Sequence, residues 1–196
     1  MSEILEMAIR AKDAKRYMAD MSPTLRQAGL VAIADALERH SDDIVAANLM
    51  DMVAGKKIGL TNALLDRLML DGGRIGDIAQ SVRDIAALPD PLGRILDGFE
   101  RPNGLKIFKI SVPLGVIAVI YEARPNVTVD SAALCLKSGN VVLLRGGKEA
   151  IHTNSAITAV MRTAVAMAGL PADCIQLVQD TSRESAQELM CLTGYV

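Results

Sequence analysis

Tryptophan is absent, and three tyrosines and two phenylalanines are the only aromatics in 196 residues. So sparse a supply argues against base-stacking platforms and aromatic sugar sites. A positive charge excess is missing too: 21 basic residues stand against 23 acidic ones, a formal net charge of -2. That balance speaks against nucleic-acid binding through bulk charge and against electrostatic docking on anionic lipid. Cysteine is scarce. Cys135, Cys174 and Cys191 are odd in number and form neither a CxxC pair nor a zinc spacing, so they read as reduced thiols of a cytoplasmic protein with no metal site. Long apolar runs are missing as well. The longest, Val112 to Tyr121, has about half the length of a spanning helix and holds Pro113 and Gly115. The N-terminal residues lack the basic and then apolar pattern of a signal peptide. No membrane partner is expected.

What is present is core material. The chain is 51% hydrophobic, enough for one ordinary packed domain or two small ones. The part up to Pro89 reads as helices. Ser22-Pro23 offers a cap followed by proline at the first helical position, and Leu25, Ala28, Ala32, Ile33, Ala36 and Leu37 then share one stripe. Ser41-Asp42-Asp43 is expected to cap a third helix, Thr61 a short one through Leu70, and Asp71 another to about Leu88.

A second regime begins near Gly93. Arg94–Phe99 and Leu105–Val112 flank Arg101-Pro102-Asn103-Gly104, which reads as a hairpin turn. Short apolar strands then alternate with helices. Strands are expected over Gly115–Tyr121, Val141–Leu144 and Cys174–Val178, and helices over Val127–Lys137, Lys148–Ala168 and Ser182–Leu192. Such alternation implies an α/β fold with a parallel sheet covered on both faces, joined by right-handed crossovers. Gly194-Tyr195-Val196 looks like the start of a further strand. A doubly wound nucleotide fold needs more strands than these, so the pattern is that of an incomplete domain.

Ligands of open parallel sheets sit beyond the carboxyl ends of the strands. Two loops occupy such places. Glu122–Thr128 follows the first strand: Arg124 could hold a phosphate or carboxylate bidentately, and Asn126 could donate its amide to a developing oxyanion. Pro125 biases Arg124 to an extended conformation. The plainer alternative is a turn with a solvated arginine and an asparagine capping the next helix. Arg145-Gly146-Gly147-Lys148-Glu149 follows the second strand. Its glycines let backbone amides approach an anion, while Arg145 and Lys148 supply charge. It is neither a Walker A loop nor a G-x-G-x-x-G fingerprint. A strand-to-helix turn with glycine at positive φ fits it equally. Cys135 lies among leucines with no histidine nearby in sequence and reads as structural. His40 falls at a helix end, and His152 in the first turn of the long helix.

The stretch Val112-Pro113-Leu114-Gly115-Val116-Ile117-Ala118-Val119-Ile120-Tyr121-Glu122-Ala123-Arg124-Pro125-Asn126-Val127-Thr128-Val129-Asp130 resembles the signature of the gamma-glutamyl phosphate reductase family, within the aldehyde dehydrogenase superfamily. So do Leu134-Cys135-Leu136-Lys137-Ser138-Gly139-Asn140, Leu144-Arg145-Gly146-Gly147-Lys148-Glu149-Ala150, Leu64-Leu65-Asp66-Arg67-Leu68 and Gly169-Leu170-Pro171, in order and spacing. The resemblance covers essentially the whole chain. It implies an aldehyde-dehydrogenase-like fold with N-terminal helices followed by a partial doubly wound sheet. It implies reduction of L-glutamyl 5-phosphate by NADPH to L-glutamate 5-semialdehyde, with phosphate release, in proline biosynthesis. Asn126 takes the place of the superfamily's oxyanion asparagine. Arg145, Gly146, Gly147 and Lys148 take that of the loop meeting the cofactor's ribose and phosphate. Arg124 is a candidate for the substrate's carboxylate or phosphate.

Family members are roughly twice as long, and their nucleophilic cysteine lies in the half not matched here. Residues 1–92 would then be the helical part of the cofactor-binding domain, 93–112 a hairpin of the oligomerisation region, and 113–196 an incomplete Rossmann-like region. A homo-oligomer at full length and a functional link to glutamate 5-kinase are further implications. Two readings follow: part of that reductase, or a non-catalytic shortened product able at most to bind nucleotide or a partner.

Overall fold

A computed structural model describes residues 2–196. Five helices come first: α1 (Glu3–Ala19), α2 (Pro23–Arg39), α3 (Ser41–Lys57), α4 (Asn62–Leu68) and α5 (Gly72–Ala87). Local chemistry sets most of their starts. The side chains of Ser2, Ser22, Thr61 and Asp71 each accept the backbone N–H three residues on. The expected caps at Ser22, Thr61 and Asp71 hold. The expected cap at Ser41 does not. Helix α3 begins at Ser41 itself, the cap position falls on His40, and the His40 ring pairs with Asp43 at 3.1 Å instead. Helix α2 runs straight into α3 with one residue between them, leaving Ser41 no extended backbone from which to cap.

Strands β1 (Ile95–Glu100) and β2 (Lys106–Ile110) form the expected antiparallel hairpin. Its turn closes through Gly104 N–H to Arg101 O at 2.9 Å, with Gly104 at φ +83°. Every residue of both strands is exposed, including Leu96, Phe99, Phe108 and Ile110.

The remaining elements are β3 (Val116–Ile120), α6 (Pro125–Lys137), β4 (Val141–Arg145), α7 (Ile151–Met167), β5 (Ile175–Leu177) and α8 (Arg183–Met190). The strands make one parallel sheet in the order β3-β4-β5, with Val116 opposite Val141 and Val142 opposite Ile175. Strand β4 is its centre, and Val141 to Leu144 are completely buried. Helices α6 and α7 pack together over one face, backed by α2, and α1 and α8 cover the other. Helix α1 presents Ala8, Ala11 and Ala14 inward, small residues that let it lie close against β4.

Several boundaries differ from expectation: α6 begins at Pro125 and not at Val127, and α4 ends at Leu68 and not at Leu70. The long helix expected from Lys148 divides into a short 3-10 turn, Lys148–Ala150, and α7 proper. Cys174 ends the 3-10 turn before β5 and does not begin that strand. Residues 194–196 are not a strand: the amides of Tyr195 and Val196 both return to Leu192 O, closing a turn.

Candidate functional site

The loops after β3 and β4 meet at the carboxyl end of the sheet. Arg124 is extended (φ -130°, ψ 97°), as a residue before proline should be, and Pro125 opens α6. Asn126 sits at the second helical position and therefore does not cap α6. Its Nδ2 donates to Asp130 Oδ2, one turn on, at 3.3 Å. Half-burial raises the Asp130 carboxyl above its usual range, partly offset by that hydrogen bond. Arg124 stays exposed, with Glu122 at 4.0 Å from its Nε, the outer edge of an ion pair.

The Gly146-Gly147 loop is not a turn that needs glycine at positive φ. Neither has positive φ. A Cβ on Gly146 would collide with the Asn154 amide and stand 3.1 Å from the Tyr121 ring. One on Gly147 would lie 3.0 Å from the Ala123 nitrogen and 2.9 Å from Glu149 Oε2. The glycines are there because the two loops touch. No acceptor among the described residues takes the amide of Gly146 or Gly147.

Beneath this contact runs a buried polar chain. The Tyr121 hydroxyl pairs with Thr128 Oγ1 at 2.7 Å, and Thr128 Oγ1 donates to Asn154 Oδ1 at 2.8 Å. Burial pushes the Tyr121 phenol up to about 12. Asn154 Nδ2 is buried against Gly146 and has no hydrogen-bond partner among the described residues.

Arg145 does not reach into the open. Its Nη2 donates to the carbonyls of Thr181 (2.6 Å) and Ser182 (2.7 Å), tying the end of β4 to the start of α8. Lys148 is exposed beside the loop. Thus Arg124, Asn126, Gly146, Gly147 and Lys148 share one end of the sheet, while Arg145 braces that end from within.

A cleft of about 560 Å³ opens beside Arg124 and Asn126. Its far wall is Asp66, Arg67, Met69, Leu70, Arg74, Asp77 and Ile78, from α4, α5 and the turn joining them. Arg67 and Arg124 also line a second, adjoining cleft. Local sequence marks none of Arg67, Arg74 and Asp77, which occupy ordinary surface positions of amphipathic helices. The one hint is that Arg67 lies inside the family-like stretch Leu64–Leu68.

Helix α3 holds that wall in place. Asn48 donates to Leu68 O (2.8 Å) and Thr153 Oγ1 (3.1 Å), and accepts from Leu70 N–H (2.9 Å). Asp51, also buried, accepts from Thr153 N–H (2.8 Å), Thr153 Oγ1 (2.6 Å) and His152 N–H (3.2 Å). It caps α7 from another helix.

The thiols lie apart from this chemistry. Burial raises Cys135 to about 11 and Cys174 to about 12. Cys191 is exposed but follows the last turn of α8, about 12 Å along that helix from its start at the sheet's ligand end. Among the described residues no group of three or more His, Cys, Asp or Glu could hold a metal ion. No helix there is long and apolar enough to cross a membrane.

Comparison with known proteins gives this geometry a context. The model of the aldehyde dehydrogenase family matches residues 2–194. The gamma-glutamyl phosphate reductase of Moorella thermoacetica is 50% identical over 194 residues, covering 99% of this chain and 46% of that protein. The one from Geobacillus thermodenitrificans is 49% identical over 196 residues, covering 100% and 47%. The crystal structure of gamma-glutamyl phosphate reductase from Thermotoga maritima superposes with a TM-score of 0.98 at 33% identity, over 100% of this chain and 47% of that one. The Saccharomyces cerevisiae reductase gives 0.91 at 31%, over 100% and 50%. The chain spans about half the length of the curated relatives it matches.

Proposed function

Since the chain belongs to the aldehyde dehydrogenase family, we propose that it is part of an NADPH-dependent reductase converting L-glutamyl 5-phosphate to L-glutamate 5-semialdehyde with release of phosphate. The observation that carries this reading is the meeting of Arg124, Asn126 and the Gly146-Gly147 loop at one end of a parallel sheet, in a chain about half identical to gamma-glutamyl phosphate reductases along its length.

The residues at the sheet's end fit a dinucleotide. Two unpartnered glycine amides and the exposed Lys148 ammonium offer donors of the kind a ribose and pyrophosphate need. Gly146, Gly147 and Lys148 would hold NADP(H), with Arg145 fixing the Thr181–Ser182 floor beside them. When bound, the nicotinamide supplies hydride.

The protein's part is binding and charge placement. Asn126 donates to the oxygen that becomes negative when the acyl carbon is attacked, and Asp130 keeps its amide from rotating. Arg124 holds an anionic group of the substrate, with a guanidinium fork suited to phosphate or carboxylate. A thiolate displaces phosphate to give a thioacyl enzyme. That nucleophile is none of Cys135, Cys174 and Cys191, since two are buried with raised pKa and the third stands away from the cleft. The reading places the reaction in proline biosynthesis, in the cytoplasm, with a homo-oligomer built around the exposed hairpin.

The test is the reverse reaction with the complete product of the gene encoding this chain. NADP+ should be reduced only when glutamate 5-semialdehyde and phosphate are both present. Reduction that ignores phosphate, or no reduction at all, would overturn the reading.

A further inference from the structure

The charges lining the 560 Å³ cleft sort into two groups. Asp66 and Arg74 satisfy each other. Arg74 donates to Asp66 Oδ1 at 2.7 Å, to Asp66 O at 2.6 Å and to Met69 O at 3.1 Å, which stiffens the turn between α4 and α5. The other three have no close partner of opposite charge. Among the described residues neither the Arg67 guanidinium nor the Asp77 carboxylate makes a hydrogen bond or ion pair, and Arg124 has only Glu122 at 4.0 Å. An exposed pair at that distance is worth little.

One cleft thus holds two unmatched positive groups and one unmatched negative group around the Asn126 amide. The complement of that set is a ligand with two anionic groups and one cationic group. An α-amino acid whose side chain ends in an acyl phosphate has that set: a carboxylate, an ammonium and a phosphate. We propose that Arg67 and Asp77 are specificity-determining residues that recognise the α-carboxylate and the α-ammonium of the substrate. Arg124 is left for the phosphate and Asn126 for the acyl oxygen.

The assignment follows from placement. Arg124 and Asn126 flank Pro125 on the loop after β3, so they act at one end of the ligand. Arg67 and Asp77 stand on the opposite wall, on α4 and α5, so they act at the other. Arg67 is in the last turn of α4, immediately beside the braced turn and next to Leu68, whose carbonyl accepts from Asn48. The planar guanidinium fork of Arg67 suits a carboxylate through two parallel hydrogen bonds.

The inference rests on the reductase reading above, and the experiment separates the two. The complete gene product is assayed in the oxidative direction with phosphate and three aldehydes: glutamate 5-semialdehyde, 4-aminobutanal, which lacks the carboxylate, and 5-oxopentanoate, which lacks the ammonium. Arg67→Gln should reduce the kcat/KM preference for glutamate 5-semialdehyde over 4-aminobutanal by roughly 50-fold, the size of a lost charge-assisted bidentate pair. Asp77→Asn should reduce the preference over 5-oxopentanoate by about tenfold. The KM for phosphate should stay within about twofold in both, and thermal midpoints should match wild type because both side chains are exposed. If wild type is active and both preferences survive the substitutions, the inference is wrong and the reductase reading stands. If wild type reduces no NADP+ with semialdehyde and phosphate, the reductase reading is wrong and the inference falls with it.

Discussion

At the scale of single residues, the three thiols carry the sharpest consequence. Cys174 is completely buried, Cys135 is 7% exposed and Cys191 is open. The thiolate is the reactive form, so a buried thiol with a raised pKa is doubly protected. A disulfide reagent at pH 8 should label Cys191 alone in the folded chain and all three cysteines in denaturant, as counted by intact mass. The apolar neighbours of Cys135 made its inertness legible in the sequence. Asn126 was legible only as a choice between cap and oxyanion donor, because sequence does not say where a helix begins to within two residues. Its place at the second helical position rules out the cap. Asp130 offers a second check. Its folded-state pKa is raised, so the folded chain binds its proton more tightly than the unfolded one. The stability it contributes is full below the ordinary carboxylate pKa and is lost as pH rises through the folded-state value. Asp130→Asn, which keeps an acceptor for Asn126, should raise the thermal midpoint at pH 7 more than at pH 4.

Among the elements, regular local signals were the readable ones. Ser22-Pro23, Thr61 and Asp71 announce helix starts, and the strands of the sheet announce themselves as short runs of Val, Ile and Leu between helical patterns. What could not be read is any cap supplied from a distance. Nothing near Ile151 explains why a 3-10 turn gives way to α7 there. The answer is Asp51, about a hundred residues earlier, whose carboxylate takes the first free amides of that helix. The same holds for the cleft, whose far wall depends on Asn48 crossing to the α4–α5 turn. Asp51→Ala should therefore cost about 3 kcal/mol, since it leaves buried amides and the Thr153 hydroxyl short of a charged acceptor. At this chain length that is about 9 °C in thermal midpoint. Glu3→Ala, at an exposed position in the first turn of α1, should change it by less than about 0.5 kcal/mol. Thermal unfolding followed by circular dichroism checks both.

Across the whole molecule, the sheet's ligand end is assembled from loops that the α/β alternation already implies, and its position follows from the rule for parallel strands. The glycines of the β4 loop carry that geometry: they allow two loops to touch over the buried Tyr121–Thr128–Asn154 chain. The hairpin is the opposite case. Its strands were readable from alternation and a Pro-Asn-Gly turn, yet every residue of both is exposed, and Phe99 and Phe108 remain more than half exposed. Exposed apolar surface of this kind is what interaction sites display. On the proposed reading, Arg124, Asn126 and the Gly146-Gly147 loop bind and orient, and none of Cys135, Cys174 and Cys191 is the nucleophile. The most direct measurement takes the purified 196-residue chain with NADP+, glutamate 5-semialdehyde and phosphate and follows NADPH formation. No phosphate-dependent rate should appear. A phosphate-dependent rate that disappears when Cys135, Cys174 or Cys191 is replaced by serine would contradict the account and place the nucleophile within this chain.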